Sequence, residues 1–293
     1  MFSRRIALAG LVSALAVAAA PSIAPAQAGK VEVVASFSIL ADLVRQVGGD
    51  RVSVRSIVPP NTDAHVYEPK PADIAAVSRA KLVVINGLGF EGWADRIVRA
   101  TNYSGERLVA SRGVRALSVR GSTDPHAWQD VANVKTYITN IRDALSKVDP
   151  AGAAIYASRA ASYSTQLDRL DAEIKGTFVR IPQANRKVVT SHDAFHYFGD
   201  AYDVVFLAPQ GVSTESQASA KDVAALIRQI KDENIRAVFV ENMSNGRVIK
   251  QISSETGVKV GGTLHADALS GAASSYIAMM RLNARTIAGA LTR

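Results

Sequence analysis

Four residues with side chains suited to holding a cation stand far apart in the chain: His65, His126, His192 and Asp267. Imidazole nitrogens and a carboxylate oxygen are ligands for a borderline divalent ion, and four of them can close a tetrahedral cage. Three neutral imidazoles and one carboxylate suit Zn²⁺, whereas Mn²⁺ usually takes more oxygen donors. The chain has only five histidines, and all five lie in or beside segments that follow predicted strands. His196 comes four residues after His192, the spacing of two ligands on one helix face. His265 comes two before Asp267, so an extended segment would point both to one side. Either could join the set. Glu68 could accept a hydrogen bond from a ligand imidazole and fix its tautomer. Taken singly, each histidine also reads as a loop hydrogen-bonder, Glu68 as surface, and Asp267 as a turn or cap residue.

The elements that must position these residues follow one grammar: short β-branched strand, loop, amphipathic helix. Val31 to Phe37 reads as a buried strand. Ile39, Leu40, Leu43, Val44 and Val47 then recur at helical spacing, and Gly48-Gly49 stops that helix. Val52 to Val58 is a second strand, Pro71 to Arg79 a helix with proline in its first turn, and Leu82 to Asn86 a third strand. A longer helix carries Val134, Ile138, Ile141, Leu145 and Val148. An unbroken helical pattern follows from Ala151 to Phe178, with Tyr163, Leu167, Leu170, Ile174 and Phe178 on one face. It reads as a stiff strut rather than a flexible linker. The alternation resumes with strands at Lys187–Thr190, Val204–Leu207, Ile235–Val240 and Val258–Leu264. Ser219 with Asp222 resembles a capping box, Asn245–Thr256 is a helix, and a last helix runs from Ser274. The expected fold class is therefore α/β, two Rossmann-like lobes with parallel sheets joined by one long helix. The expected division is a signal peptide at 1–28, an N-terminal lobe at 29–149, the linking helix at 150–179 and a C-terminal lobe at 180–293. Ligands of open parallel sheets bind beyond the carboxyl ends of the strands. His65, His192 and Asp267 fall there, and His126 follows a loop. With two candidates in each half, the site would lie in the cleft between lobes.

Arg4 and Arg5, the apolar run Ile6–Ala20 and the small-x-small triplet Ala26-Gln27-Ala28 read as a cleaved secretory signal. Ser3-Arg4-Arg5 also admits twin-arginine export. No later stretch is long and apolar enough for a membrane helix. The chain has no cysteine, which excludes a thiolate metal site, a disulfide framework and a lipid-modified cysteine. A free periplasmic protein is expected. The formal charge of +8 is dispersed, without basic runs or interleaved aromatics, so nucleic acid is not an expected partner. No Walker motif is present.

Four motifs in order carry a family resemblance: Asp63-Ala-His65-Val-Tyr67-Glu68-Pro69, Asp124-Pro125-His126-Ala-Trp128, Thr190-Ser191-His192-Asp-Ala-Phe195, and Asp267-Ala-Leu269-Ser270. Lys221 to Ile230 and Phe239-Val240-Glu241-Asn242 support them. With a long helix between the second and third, the chain resembles the periplasmic receptors of zinc and manganese ABC transporters, the cluster 9 solute-binding family. The resemblance spans the mature chain. It implies a metal in the interlobe cleft held by His65, His126, His192 and Asp267, and delivery to a membrane permease by a monomeric, non-enzymatic receptor. Three departures stand out. Ala64 replaces a usual proline, Gln129-Asp130-Val131 replaces Leu-Asp-Pro, and His265 stands where a tyrosine is common. Manganese members tend to carry glutamate where this chain has His192, which favours zinc. The histidine-rich loop of many zinc members is missing, since Ser104 to Thr123 has no histidine. A rival from another class is a secreted zinc hydrolase using three histidines, an open water position and Glu68 as base. Asp267 decides between them: if it faces the three imidazoles, no position stays open.

Overall fold

The computed structural model describes residues 29–292. The expected signal peptide therefore lies outside the described residues. The first lobe begins with β1 (Val31–Phe37), α1 (Ser38–Gly48), β2 (Val52–Val58), α2 (Pro71–Arg79), β3 (Leu82–Ile85), α3 (Ala94–Thr101) and β4 (Glu106–Val109). Its sheet is parallel in the order β2-β1-β3-β4. β1 and β3 are central and almost wholly buried, as continuous apolar runs require when both faces are covered. A short antiparallel hairpin, β5 (Ser118–Val119) and β6 (Ser122–Thr123), precedes α4 (Val131–Val148).

The long helix α5 (Ala153–Phe178) then crosses the molecule. Its 26 residues extend about 39 Å. Its buried stripe includes Tyr163, Leu167, Leu170, Ile174 and Phe178, the face expected from periodicity. Near its start, Arg159 Nε donates to the Gln46 carbonyl at 3.0 Å. Near its end, Arg281 Nε pairs with Glu173 at 2.7 Å. The helix is packed against both lobes rather than bridging open solvent.

The second lobe contains β7 (Lys187–Val189), α6 (His196–Tyr202), β8 (Val205–Leu207), α7 (Ala220–Asp232), β9 (Ala237–Glu241), α8 (Arg247–Thr256), β10 (Val260–Leu264) and α9 (Tyr276–Leu291). Its sheet is parallel in the order β10-β9-β7-β8. Ser219 caps α7 by accepting from the Asp222 amide, as its sequence indicates. The two-lobed α/β architecture with parallel sheets agrees with the sequence reading.

Five short elements escape the pattern analysis, each for a local reason. β4 is an edge strand with only Leu108 buried. α3 buries only Ala94 and Ile97, too few turns for a periodic signal. The hairpin strands have two residues each, and α6 has seven.

Candidate metal centre

The structure brings His65, His126, His192 and Asp267 into one buried cluster between the lobes. Each is at most 5% exposed, and their candidate ligand atoms all lie within 4.8 Å of one another. Three Nε2 atoms converge: His65 to His126 is 3.3 Å and His126 to His192 is 3.4 Å. Asp267 Oδ2 lies 3.6 Å from His65 Nε2 and 3.3 Å from His192 Nε2, and Oδ1 lies 3.4 Å from His126 Nε2. A tetrahedron with ligand bonds of about 2.0–2.1 Å has edges of about 3.3–3.4 Å. The cluster is therefore already at the spacing of a tetrahedral cage.

Each ligand-type side chain is set by its own loop. His65 lies between β2 and α2, where Asp63 Oδ1 accepts from the His65 amide at 3.0 Å. Trp93 Nε1 donates to the Ala64 carbonyl at 2.8 Å, so this loop is held without a proline at position 64. The edge of Phe90 packs against the His65 ring, centroid to centroid 4.7 Å. His126 does not follow a sheet strand. It is reached through the β5-β6 hairpin and enters a 3₁₀ turn at Ala127–Gln129. Asp124 Oδ1 accepts from its amide at 2.9 Å and pairs with Nδ1 at 2.7 Å. His192 follows β7, and its Nδ1 pairs with Glu241 Oε2 at 2.6 Å. The other Glu241 oxygen accepts the Ser191 and His192 amides at 2.9 and 3.1 Å. In the neutral ring, donating Nδ1–H to a carboxylate leaves Nε2 its lone pair toward the cluster, and it raises the basicity of the ring.

Asp267 follows β10 and is held from the opposite lobe. Trp128 Nε1 and Gln129 Nε2 both donate to the Ala266 carbonyl, at 2.9 and 2.8 Å. The Leu269 amide donates to Ser38 Oγ at 3.0 Å, and the Asn61 amide to the Leu269 carbonyl at 3.0 Å. Gln129, where the family resemblance expects leucine, thus anchors the Asp267 loop. The Gly, Ala and Ser content of Ala266–Ser275 would by itself allow a mobile loop. In the structure its first residues, Ala266–Leu269, are buried and tied to the N-terminal lobe.

The electrostatics centre on Asp267. Both of its oxygens are buried and neither has a hydrogen-bond partner. Burial alone would raise this carboxyl, but its interaction with the His192 and His126 imidazoles outweighs burial and holds it well below the usual carboxylate range. A buried carboxylate without hydrogen-bond donors is costly unless a cation compensates it. Burial drives the His65 imidazole down to about 3, against the opposing pull of Asp267. At His192 burial also works against charge, yet the Glu241 and Asp267 carboxylates outweigh it and raise this imidazole well above its ordinary range. Burial would likewise raise Asp124, but the His126 imidazole paired with it at 2.7 Å holds it well below.

The remaining sequence candidates go elsewhere. His265 Nε2 pairs with Ser270 Oγ at 2.7 Å, and a bend at Ala266-Asp267 breaks the alternation that would have aligned it with Asp267. His196 Nδ1 lies 3.5 Å from Asp124 Oδ2, behind the His126 ring rather than in the cluster. Glu68 is exposed. The carboxylates behind the imidazoles are instead Asp124 and Glu241. Asp124 was legible in principle, because a carboxylate two residues before a histidine can reach its amide. Glu241 is 49 positions from His192 and only sheet order brings them together. Asp267 faces the three imidazoles, on the side that a three-histidine hydrolase would leave open to water.

Comparison with known proteins accords with this geometry. The chain belongs to the ZnuA family, described as the periplasmic component A of the zinc-uptake complex, whose model matches residues 33–290. It is therefore a binding component of a transport system and not an enzyme. The manganese-binding lipoprotein MntA of Halalkalibacterium halodurans is 35% identical over 267 residues, 89% of this chain and 89% of its own. The iron-binding protein YfeA of Yersinia pestis is 34% identical over 271 residues, 89% of this chain and 86% of its own. Among solved structures, the periplasmic zinc binding protein TroA from Treponema pallidum is similar with a TM-score of 0.87 and 30% identity, over 90% of this chain and 100% of that one.

Proposed function

We propose that this protein is a periplasmic solute-binding receptor that captures one divalent transition-metal ion, zinc in the first reading, and passes it to the membrane permease of an ABC transporter. His65, His126, His192 and Asp267 hold the ion. The observation that carries this reading is the Asp267 carboxylate, fully buried, without a hydrogen-bond donor and ringed by three imidazole nitrogens at 3.3–3.6 Å. Such an arrangement needs compensating positive charge, which a cation held by all four groups supplies. Relatives named for manganese, iron and zinc support a divalent metal as the cargo and leave the choice among ions to the donor set.

Three borderline nitrogen donors with one carboxylate favour zinc over manganese. Manganese is the second reading, and one observation favours it: both oxygens of Asp267 face the imidazoles, so a chelating carboxylate would add an oxygen donor. ATP hydrolysis is left to a separate chain. The lobes at 29–149 and 180–293 with the linking helix at 150–179 form part of the same proposal, as does action as a monomer. Among the described residues no helix is long and apolar enough to cross a membrane. Several relatives are named lipoproteins, whereas this sequence has no cysteine, and we place the protein free in the periplasm after export. The test is metal analysis of protein isolated from the periplasm, with zinc–manganese competition on the metal-free form. One tightly held zinc per chain, retained against a manganese excess, is expected. Preferential retention of manganese would overturn the zinc assignment, and retention of no divalent metal would overturn the receptor.

A further inference from the structure

A short strap of the C-terminal lobe runs beside the metal cluster and lines the cavities next to it. After β8 the chain runs through Gln210 to Ala218 before α7 begins, with Gln210 bridged to His192 and the Gly211 carbonyl accepting the Asp193 amide at 3.2 Å. A cavity of about 360 Å³ lies on one side of this strap, bounded by Asp63, His192, Thr214 and Glu241. On the other side a more open hollow is bounded by His65, Thr123, Val212 and Ser213. The strap thus lines both cavities, and each cavity borders one of the cluster histidines.

The strap is shaped from within. Gln210 Nε2 donates to the Ser216 carbonyl at 2.8 Å, and the Glu215 amide to Ser213 Oγ at 3.2 Å. Its side-chain hold on the opposite lobe is one hydrogen bond, from Thr214 Oγ1 to Asp63 Oδ2 at 2.7 Å. The acceptor is not a neutral bystander. The other oxygen of Asp63 accepts from the His65 amide and shapes the loop that presents His65. One carboxylate therefore ties the strap of one lobe to the ligand loop of the other. The rest of the contact between lobes differs in kind. On the Asp267 side the tying groups are buried: Trp128 on Ala266, Ser38 on Leu269, and Asp42 accepting the Tyr276 amide at 2.7 Å. Next to the strap the ties are half-buried: Thr214 on Asp63, and Arg120 on the Ala208 carbonyl at 3.2 Å. Segments with few buried contacts and water-accessible hydrogen bonds open first.

We infer that Thr214 is a latch: its hydroxyl on Asp63 closes the Gln210–Ala218 strap over the bound metal and sets the rate at which the ion leaves. The inference rests on the metal-site reading above. His192 and the strap move together through the Gln210 bridge, while Asp267 stays with the N-terminal lobe, so release begins on the His192 side. The bond has a charged acceptor, so losing it matters more than losing a neutral pair.

The full chain is loaded with one equivalent of Zn²⁺ and chased with an excess of a fluorescent chelator in a stopped-flow instrument. Thr214→Val keeps the shape and removes the hydroxyl, and should release zinc about tenfold faster. Thr214→Ser keeps the hydroxyl and should release at the wild-type rate. Hydrogen exchange on the wild type needs no variant: amides of residues 211–218 should be protected on loading, and those of 266–269 protected with or without metal. Equal release rates for wild type and Thr214→Val, or a strap equally protected in both states, would overturn the latch. Wild type that takes up no stoichiometric zinc would instead overturn the metal site itself, which keeps the two failures distinct.

Discussion

Loading the site at neutral pH should release one proton from His192, and affinity should keep rising with pH beyond the ordinary histidine range. His65 contributes nothing to this exchange, because burial lowers its imidazole to about 3 and it holds no proton to displace. His192 behaves oppositely. The Glu241 and Asp267 carboxylates overcome its burial and keep it protonated in the metal-free protein. Its Nδ1–H remains on Glu241 at 2.6 Å, so the proton a metal must displace sits on Nε2, 3.3 Å from Asp267 Oδ2. A proton and a metal ion then compete for one nitrogen. Lower pH favours the proton, so affinity falls as pH falls. One competing proton weakens binding about tenfold per pH unit, and the slope persists up to the raised value of His192. Unperturbed imidazoles near 6.5 would behave differently: flat above about pH 7.5, and steeper than one proton well below it. Calorimetry of zinc binding at pH 7.5, in two buffers of different ionisation enthalpy, counts the protons directly. Glu241→Gln removes one of the two charges that hold the proton, so its count should drop while affinity falls about 10–100-fold. A wild-type enthalpy independent of buffer, together with a flat affinity from pH 7 to 8, would refute the reasoning.

Asp267→Ala should leave a three-histidine site that binds zinc more weakly at unchanged stoichiometry, which titration against a competing chelator measures. If affinity is untouched, the carboxylate is structural. His192→Glu replaces a borderline nitrogen by a hard oxygen and should shift the zinc-to-manganese affinity ratio toward manganese, as read by competition with both ions. Wild type should bind one tight equivalent of zinc and no second, because the two remaining histidines are engaged with Ser270 and Asp124, and calorimetric stoichiometry checks this. Trp128→Phe keeps the buried ring but removes the donor to the Ala266 carbonyl. It should cost about 1 kcal/mol in thermal unfolding, since Gln129 still serves that carbonyl, and should weaken metal binding by loosening Asp267.

Local chemistry determined much of this protein in advance. The central strands and the buried stripe of α5 were legible because β-branched runs and helical periodicity are properties of contiguous residues, and burial merely follows them. The donor types at His65, His126, His192 and Asp267 were legible too, as scarce chemistry gathered near strand ends. Convergence was not. His65 and Asp267 are 202 positions apart, and only two parallel sheets facing across one cleft bring their side chains to 3.6 Å. The choice of Asp267 over His265 was decided by a bend at Ala266, where the backbone abandons the two-residue alternation that made both candidates equal. Glu241 lies in a stretch that supports the resemblance, and only the pairing of β7 with β9 sets it behind His192. The firmness of the Asp267 loop also ran against its composition. Glycine, alanine and serine permit motion, but Trp128, Gln129 and Ser38 of the other lobe remove it, and those contacts exist only once the chain has folded. Sequence sets which groups can bind a cation; the distances, protonation and mobility of those groups come from neighbours that are remote in the chain.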